Sequence, residues 1–153
     1  MPRLGVISDT HGLLRPQALR ALAGADLIVH AGDVGGPEVL EALRALAPVV
    51  AVRGNNDRGP WARALAATEV VERAGRRVYV LHDLKQLDLD PRAAGFDAVI
   101  AGHSHQPRVE RRRDVLYLNP GSAGPRRFRL PVALAWLDLD TARVEAEIVQ
   151  LDV

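Results

Sequence analysis

Cysteine is absent from this 153-residue chain. That excludes disulfide staples, thiolate metal sites and cysteine nucleophiles, each of which needs the sulfur. It also fits a reducing compartment. Long apolar runs are missing as well. The longest uncharged apolar stretch, residues 45–52, falls far short of the roughly 20 residues that span a bilayer. The opening "MPRLGVISDT" reaches Asp9 too soon to hold a secretory apolar segment. These absences predict a soluble, cytoplasmic protein with no membrane partner. Neither charge sign dominates: 20 basic residues face 19 acidic ones, for a net +1. Dedicated nucleic-acid binders carry a strongly basic face, so no stable nucleic-acid partner is expected. Lysine is almost absent, Lys85 standing alone among arginines; no function follows from that. There is no repeat, low-complexity tract or linker, which predicts one domain over residues 1–153. A chain of this size buries roughly 68–70% of its unfolded surface, enough for a core without cross-links.

What is present starts with an alternation of short apolar runs and helical patterns. "RLGVIS" (3–8), "DLIVHA" (26–31) and "PVVAVR" (48–53) read as strands. Between them, "PQALRALAG" (16–24) and "PEVLEALRALA" (37–47) read as helices, each opened by proline. The resulting βαβαβ pattern implies parallel strands with crossover helices. Further on, "TEVVER" and "RRVYVLH" flank Ala74 and Gly75 as in a hairpin. A short helical stretch is expected near 90–95, then a strand at "DAVIAG" (97–102). Two further hairpins are expected, "PRVERR" with "DVLYLN" and "PVALAWLDL" with "ARVEAEIVQL". Their strands are read as alternating apolar and polar residues, the mark of half-exposed antiparallel strands. The predicted fold class is α/β, with two packed mixed sheets flanked by helices. Trp61 and Trp136 are read as core or interface residues.

Metal-ligand residues fall at the ends of these strands. Asp9 and His11 follow the first, Asp33 the second and Asn55 the third. His82 ends "RRVYVLH", and His103 and His105 follow "DAVIAG". Sites in α/β sheets gather at the carboxyl ends of strands, so seven donors there point to one centre. An i, i+2 pair such as Asp9 and His11, or His103 and His105, points both side chains the same way when extended. Gly12, Gly32, Gly54 and Gly102 flank the donors and permit close backbone approach. Carboxylate, imidazole and amide donors without sulfur suit divalent Mn, Fe, Co, Ni or Zn. Two such ions about 3.5–4 Å apart serve phosphoryl chemistry. Two divalent ions bring four positive charges; Asp9 and Asp33 remove two, leaving a cationic hole for a phosphate.

The order D-x-H, GD, GN-x-D, a strand-end His and GH-x-H, from Arg3 to about Arg126, resembles the calcineurin-like metallophosphoesterase superfamily. The short length and the segment "LNPGSAGPRR" (118–127) resemble its small YfcE-like phosphodiesterase branch. The resemblance implies a four-layer sandwich and two divalent metal ions, manganese favoured. It assigns Asp9, His11 and His105 to one ion and Asn55, His82 and His103 to the other, with Asp33 bridging. It implies a metal-bound hydroxide attacking phosphorus in a small phosphodiester. Two positions depart from the superfamily pattern. Asn56 stands where many members carry a histidine that protonates the leaving group, and Asp83 follows His82 where glycine is usual.

Other residues carry lesser expectations. Asn56 and Arg126 are read as substrate-binding, Arg126 through a bidentate phosphate contact. His30 is either a partner orienting the Asp33 region or a plain buried histidine. Asp57 either orients Asn56 or closes a turn. Asn119 and Gly121 are read as shaping a loop beside the metals or as a plain turn. "RVERRR" (108–113) is read as a solvated hairpin tip. Two alternatives to a phosphodiesterase stay open: a phosphomonoesterase or nucleotide phosphatase with the same metals, and a non-catalytic scaffold. Exposed edge strands near the C-terminus would permit a homo-oligomer.

Overall fold

The structure, a computed structural model, describes residues 2–140 and 142–153. It opens with β1 (Arg3–Ile7), α1 (Pro16–Ala21), β2 (Leu27–His30), α2 (Pro37–Arg44) and β3 (Val49–Ala51). Both helices start on proline, whose missing N–H has no partner to lose in a first turn. β1, β2 and β3 pair in parallel. A four-residue helix follows, α3 (Pro60–Arg63). It is too short to leave a periodic signal in sequence.

The hairpin β4 (Thr68–Arg73) and β5 (Arg76–Leu81) turns through Ala74 and Gly75. Both turn residues have positive φ, 53° and 75°, as a two-residue type I′ turn requires. A 3-10 turn, Leu84–Gln86, leads toward β6 (Ala98–Ile100). The helical stretch expected near 90–95 is only a run of turns. Pro91 and Gly95, the latter at φ 81°, fence too few residues to nucleate a helix. β7 (Arg108–Arg112) and β8 (Val115–Asn119) form the second hairpin, and β9 (Ala133–Asp138) and β10 (Glu145–Gln150) the third.

The strands form two five-stranded mixed sheets, ordered β10-β9-β1-β2-β3 and β4-β5-β6-β8-β7. The inner faces meet in a core that includes Leu4, Val6, Val29, Val80, Ile100 and Leu118. Each fully buried leucine there contributes roughly 2 kcal/mol. The first sheet's outer face is covered by the two long helices, through Leu22, Leu40 and Leu43 against Ile7 and Ile28. Among the described residues, the second sheet's outer face carries no α-helix, only the 3-10 turn Leu84–Gln86 and coil. Leu84, Leu87 and Leu89 cover part of it against Tyr79 and Val99. The fourth layer is therefore coil. β9 corrects one expectation: instead of alternating, five of its six residues are buried. It lies inside its sheet between β10 and β1, with Leu137 in the inner core and Leu134 in the outer one. Among the described residues, no helix is long and apolar enough to cross a membrane.

Candidate metal centre

The carboxyl ends of β1, β2, β5 and β6 deliver their donors to one place. Asp9, His11 and His105 offer atoms within 4.8 Å of one another, and so do Asp9, Asp33 and His82. Asp9 belongs to both groups. Its Oδ1 is buried and has no hydrogen-bond partner among the described residues. Three imidazole Nε2 atoms ring that oxygen: His105 at 3.5 Å, His11 at 3.8 Å and His82 at 3.9 Å. The other oxygen, Oδ2, is held by the Ser8 hydroxyl at 2.7 Å and the His103 amide at 3.0 Å. One oxygen is thus anchored and the other left open, as a metal-binding carboxylate needs.

Asp33 is placed to face both groups. Its Oδ2 lies 3.3 Å from His82 Nε2 and 3.7 Å from His11 Nε2. The Asn56 amide donates to its Oδ1 at 2.9 Å, and Asn56 Nδ2 donates to its Oδ2 at 3.1 Å. His82 donates from Nδ1 to the Ala31 carbonyl at 2.7 Å. That bond fixes the tautomer and turns a bare Nε2 into the site. The His103 ring joins through Nδ1, 3.3 Å from His82 Nε2. His11 and His105 face each other Nε2 to Nε2 at 3.4 Å. An unpaired buried carboxylate oxygen among imidazole nitrogens is a donor set that fits divalent cations.

Electrostatics point the same way. Burial alone would raise the Asp9 carboxyl, but the His105 imidazole beside it, the Ser8 hydroxyl bond and the nearby His82 lower it below its ordinary value. Asp33 is also opposed by burial, yet the adjacent His82 imidazole and the two Asn56 hydrogen bonds hold it well below the usual carboxylate range. Both carboxylates therefore stay ionised. His82 is driven down by burial but more strongly up by Asp33 and the Ala31 carbonyl, so its net shift is upward.

The local backbone is strained where the donors sit. Asp9, His11, Asp33, His103 and His105 all have positive φ, between 48° and 70°. The expectation of extended i, i+2 pairs is corrected here: the donors lie just past the strands, in left-handed turns. Such residues cost about 1–2 kcal/mol each and persist only where surrounding contacts over-determine them. Those contacts are visible. An added Cβ at Gly102 would overlap Ser8 Oγ and Asp9 Oδ2, and one at Gly54 would overlap the Asp33 backbone and carboxylate. Asp57 accepts three backbone amides, from Gly54, Gly35 and Val34, at 2.9–3.2 Å. It staples the Asn55 loop to the Asp33 loop.

His30 resolves as an orienting residue. It is fully buried and accepts the Gly32 amide on Nδ1 at 3.1 Å. Its Nε2–H then donates to Thr10 Oγ1 at 2.9 Å, and that hydroxyl donates to the Val34 carbonyl at 2.7 Å. Burial lowers its pKa to about 4, so the ring stays neutral and ties the Asp9 loop to the Asp33 loop. Asn119 also shapes the site: its Nδ2 donates to the Gly102 carbonyl and to Ser104 Oγ, at 2.9 and 3.0 Å.

These contacts bring six of the seven expected ligands together, and the seventh, Asn55, lies between Gly54 and Asn56, which both touch Asp33. Asn55 is exposed and makes no hydrogen bond among the described residues; Asn56, the next residue, makes the contact with Asp33. Arg126 is exposed, and Arg127 rather than Arg126 lines the adjoining cavity. Asp83, in the unusual position after His82, accepts the Lys85 amide at 3.1 Å and caps the 3-10 turn. Ser8 and Thr10 are functional neighbours that sequence reasoning passed over; alternation with Asp9 and His11 was the only signal.

The family profile of the calcineurin-like phosphoesterase superfamily domain matches residues 3–142. The chain belongs to this superfamily. A probable metallophosphoesterase of Methanothermobacter thermautotrophicus is 36% identical, over 96% of this chain and 91% of its own. The solved structure of YfcE, a phosphoesterase from E. coli, is 26% identical and superposes with a TM-score of 0.71, over 98% of this chain and all of that one. Vps29 of Entamoeba histolytica, solved with zinc, shares the fold at 24% identity and a TM-score of 0.74, covering 98% and 99% of the two chains. As a calcineurin-like phosphoesterase, the chain carries its Asp and His donors in the groups described above.

Proposed function

We propose that this protein is a dinuclear metal-dependent phosphodiesterase acting on small phosphoesters. The observation that carries the proposal is the orphaned Asp9 Oδ1 ringed by three imidazole nitrogens. Asp9, His11 and His105 would hold one ion, and His82, His103 and Asn55 the other, with Asp33 between them. Manganese is the favoured metal; Fe, Co, Ni and Zn suit the same donors. When bound, such ions acidify water and offset charge on a phosphoryl group.

The residues of the chain divide the remaining work. The Ala31 carbonyl orients His82 through Nδ1. Ser8 and the His103 amide keep Asp9 Oδ2 from rotating inward. The hydrolysis adds a water oxygen to phosphorus and expels an alkoxide, which must gain a proton. Asn56 has none to give at neutral pH, so that proton comes from solvent and good leaving groups are favoured. Asn56 and Arg126 remain the proposed contacts for substrate oxygens. Arg126 lies two residues beyond Gly124, where an added Cβ would overlap the backbone of Asp9 and Thr10.

The test is direct. Strip the protein of metal, add Mn²⁺ back, and assay bis-p-nitrophenyl and mono-p-nitrophenyl phosphate side by side. Manganese-dependent turnover favouring the diester is expected. Preference for the monoester would make it a phosphomonoesterase, and tight metal binding without turnover would make it a scaffold of the same fold.

A further inference from the structure

A cavity of about 580 Å³ adjoins the metal centre, with His103, Gly102 and Asn119 in its wall. It occupies the part of the second sheet's outer face that the coil layer leaves bare. Val99, Ala101 and Tyr117 give it an apolar floor. A volume in this range suits a small organic molecule rather than a bare phosphate group.

Its charge is unbalanced. Four cations line it, Lys85, Arg108, Arg112 and Arg127, against two carboxylates, Asp83 and Glu110. Glu110 is taken by Arg108 at 2.9 Å and Arg112 at 3.1 Å, and Arg112 also lies over the Tyr117 ring at 4.8 Å. Asp83 accepts the Lys85 backbone amide on Oδ1, and its Oδ2 lies 3.9 Å from His103 Nε2. Among the described residues, neither the Lys85 ammonium nor the Arg127 guanidinium has a carboxylate within ion-pair distance. A wall that joins an apolar floor to two unpaired cations is complementary to an apolar body with an anionic end.

We infer that this cavity receives one ester substituent of the substrate, and that this substituent carries a second phosphate, held by Lys85 and Arg127. The inference rests on the phosphodiesterase reading and narrows it. The preferred substrate is a diester with an additional anionic group, such as a nucleotide derivative, rather than a neutral-substituted diester.

A matched pair tests this: thymidine 5′-(p-nitrophenyl phosphate) and its 3′-phosphorylated counterpart. Both are diesters that release p-nitrophenolate, and they differ by one phosphate. In the manganese-loaded protein, kcat/KM should be at least 10-fold higher for the phosphorylated member, mainly through KM. In the Lys85→Glu, Arg127→Glu double variant that ratio should fall to about one or below. Because the ratio is taken within one preparation, any general loss of activity cancels. A ratio near one in the parent protein, or an unchanged ratio in the variant, would overturn the inference. The second measurement is calorimetric binding of thymidine 3′,5′-bisphosphate to metal-free protein. It should weaken at least 10-fold in the double variant, and equal binding would overturn the inference. If no ester is turned over, the diesterase reading fails, and this binding measurement alone decides the role of the cavity.

Discussion

Two kinds of left-handed backbone occur in this molecule. At the hairpin tips, Ala74 with Gly75 and Arg113 with Asp114 take positive φ because a two-residue turn matched to strand twist needs it. The turn geometry itself repays the strain. At the strand ends, Asp9, His11, Asp33, His103 and His105 take the same conformation, though no hairpin asks for it. There the strain is held by buried polar contacts: Ser8 on Asp9, Asp57 on three amides, His30 between two loops. A tip is strained by its fold. The metal centre is strained by its chemistry, since only a sharp turn after each strand aims a donor back across the strand ends.

Asp33→Asn gives this contrast its largest test. Asparagine tolerates the left-handed region, so the backbone at position 33 is preserved while the carboxylate charge is lost. Manganese-dependent diesterase turnover should drop more than about 100-fold, and the bound metal counted by elemental analysis should fall. The metal-free variant should melt somewhat below the parent, because the Asn56 and His82 contacts of the carboxylate weaken, but it should keep one cooperative transition. Retained activity would show that Asp33 is not shared between ions, and collapse of the fold would show that its charge holds the loop.

Much of this contrast could be read from the residues alone. Strand-end placement of Asp9, Asp33, His82, His103 and His105 was legible because apolar runs and ligand residues alternate in a fixed order. The coil layer and the cavity on it were not, because "DLKQLDLDP" has no periodicity and its packing depends on a distant face. Nor could the sequence show that Lys85 and Arg127, 42 positions apart, line one cavity. Positive φ at histidine and aspartate was also invisible. Propensity argues against it there, and tertiary contacts override propensity. The hold of Asn56 on Asp33 was not legible either, because the turn of the loop decides where each of two adjacent amides points.

A middle-sized effect comes from the anchor between the two strained loops. His30 has a folded pKa near 4 against about 6.5 when unfolded. Below pH 6.5 the unfolded chain takes a proton that the folded chain refuses until about pH 4. Stability of the metal-free protein should therefore fall as pH drops through this window, by up to about 3 kcal/mol. His82 is shifted in the opposite direction. Its stabilising contribution is fully present below 6.5 and is lost as pH rises through its raised pKa, so it acts in a separate window. Urea unfolding of metal-free protein at pH 7 and pH 4.5 measures the His30 effect. His30→Gln should be less stable at pH 7 yet lose less on acidification. Equal losses in both proteins would mean that another group dominates.

The smallest effect separates the two kinds of strain most cleanly. Ala74→Gly, and His11→Gly measured against His11→Ala as its reference, each isolate the Cβ of a left-handed residue, relieving roughly 1 kcal/mol while adding about half as much chain entropy to the unfolded state. Each metal-free variant should gain roughly 0.5 kcal/mol over its reference, one or two degrees in melting temperature for a chain of this size. With saturating Mn²⁺ the variants should part. Ala74→Gly should keep its gain, because the hairpin tip touches no donor. His11→Gly should melt below the metal-loaded parent, because an ion at about 100 times its Kd stabilises the parent by about 2.7 kcal/mol and the variant by much less. If His11→Gly melted no lower than the parent with manganese present, the left-handed turn at position 11 would serve the fold and not the metal, and the two kinds of strain would be one.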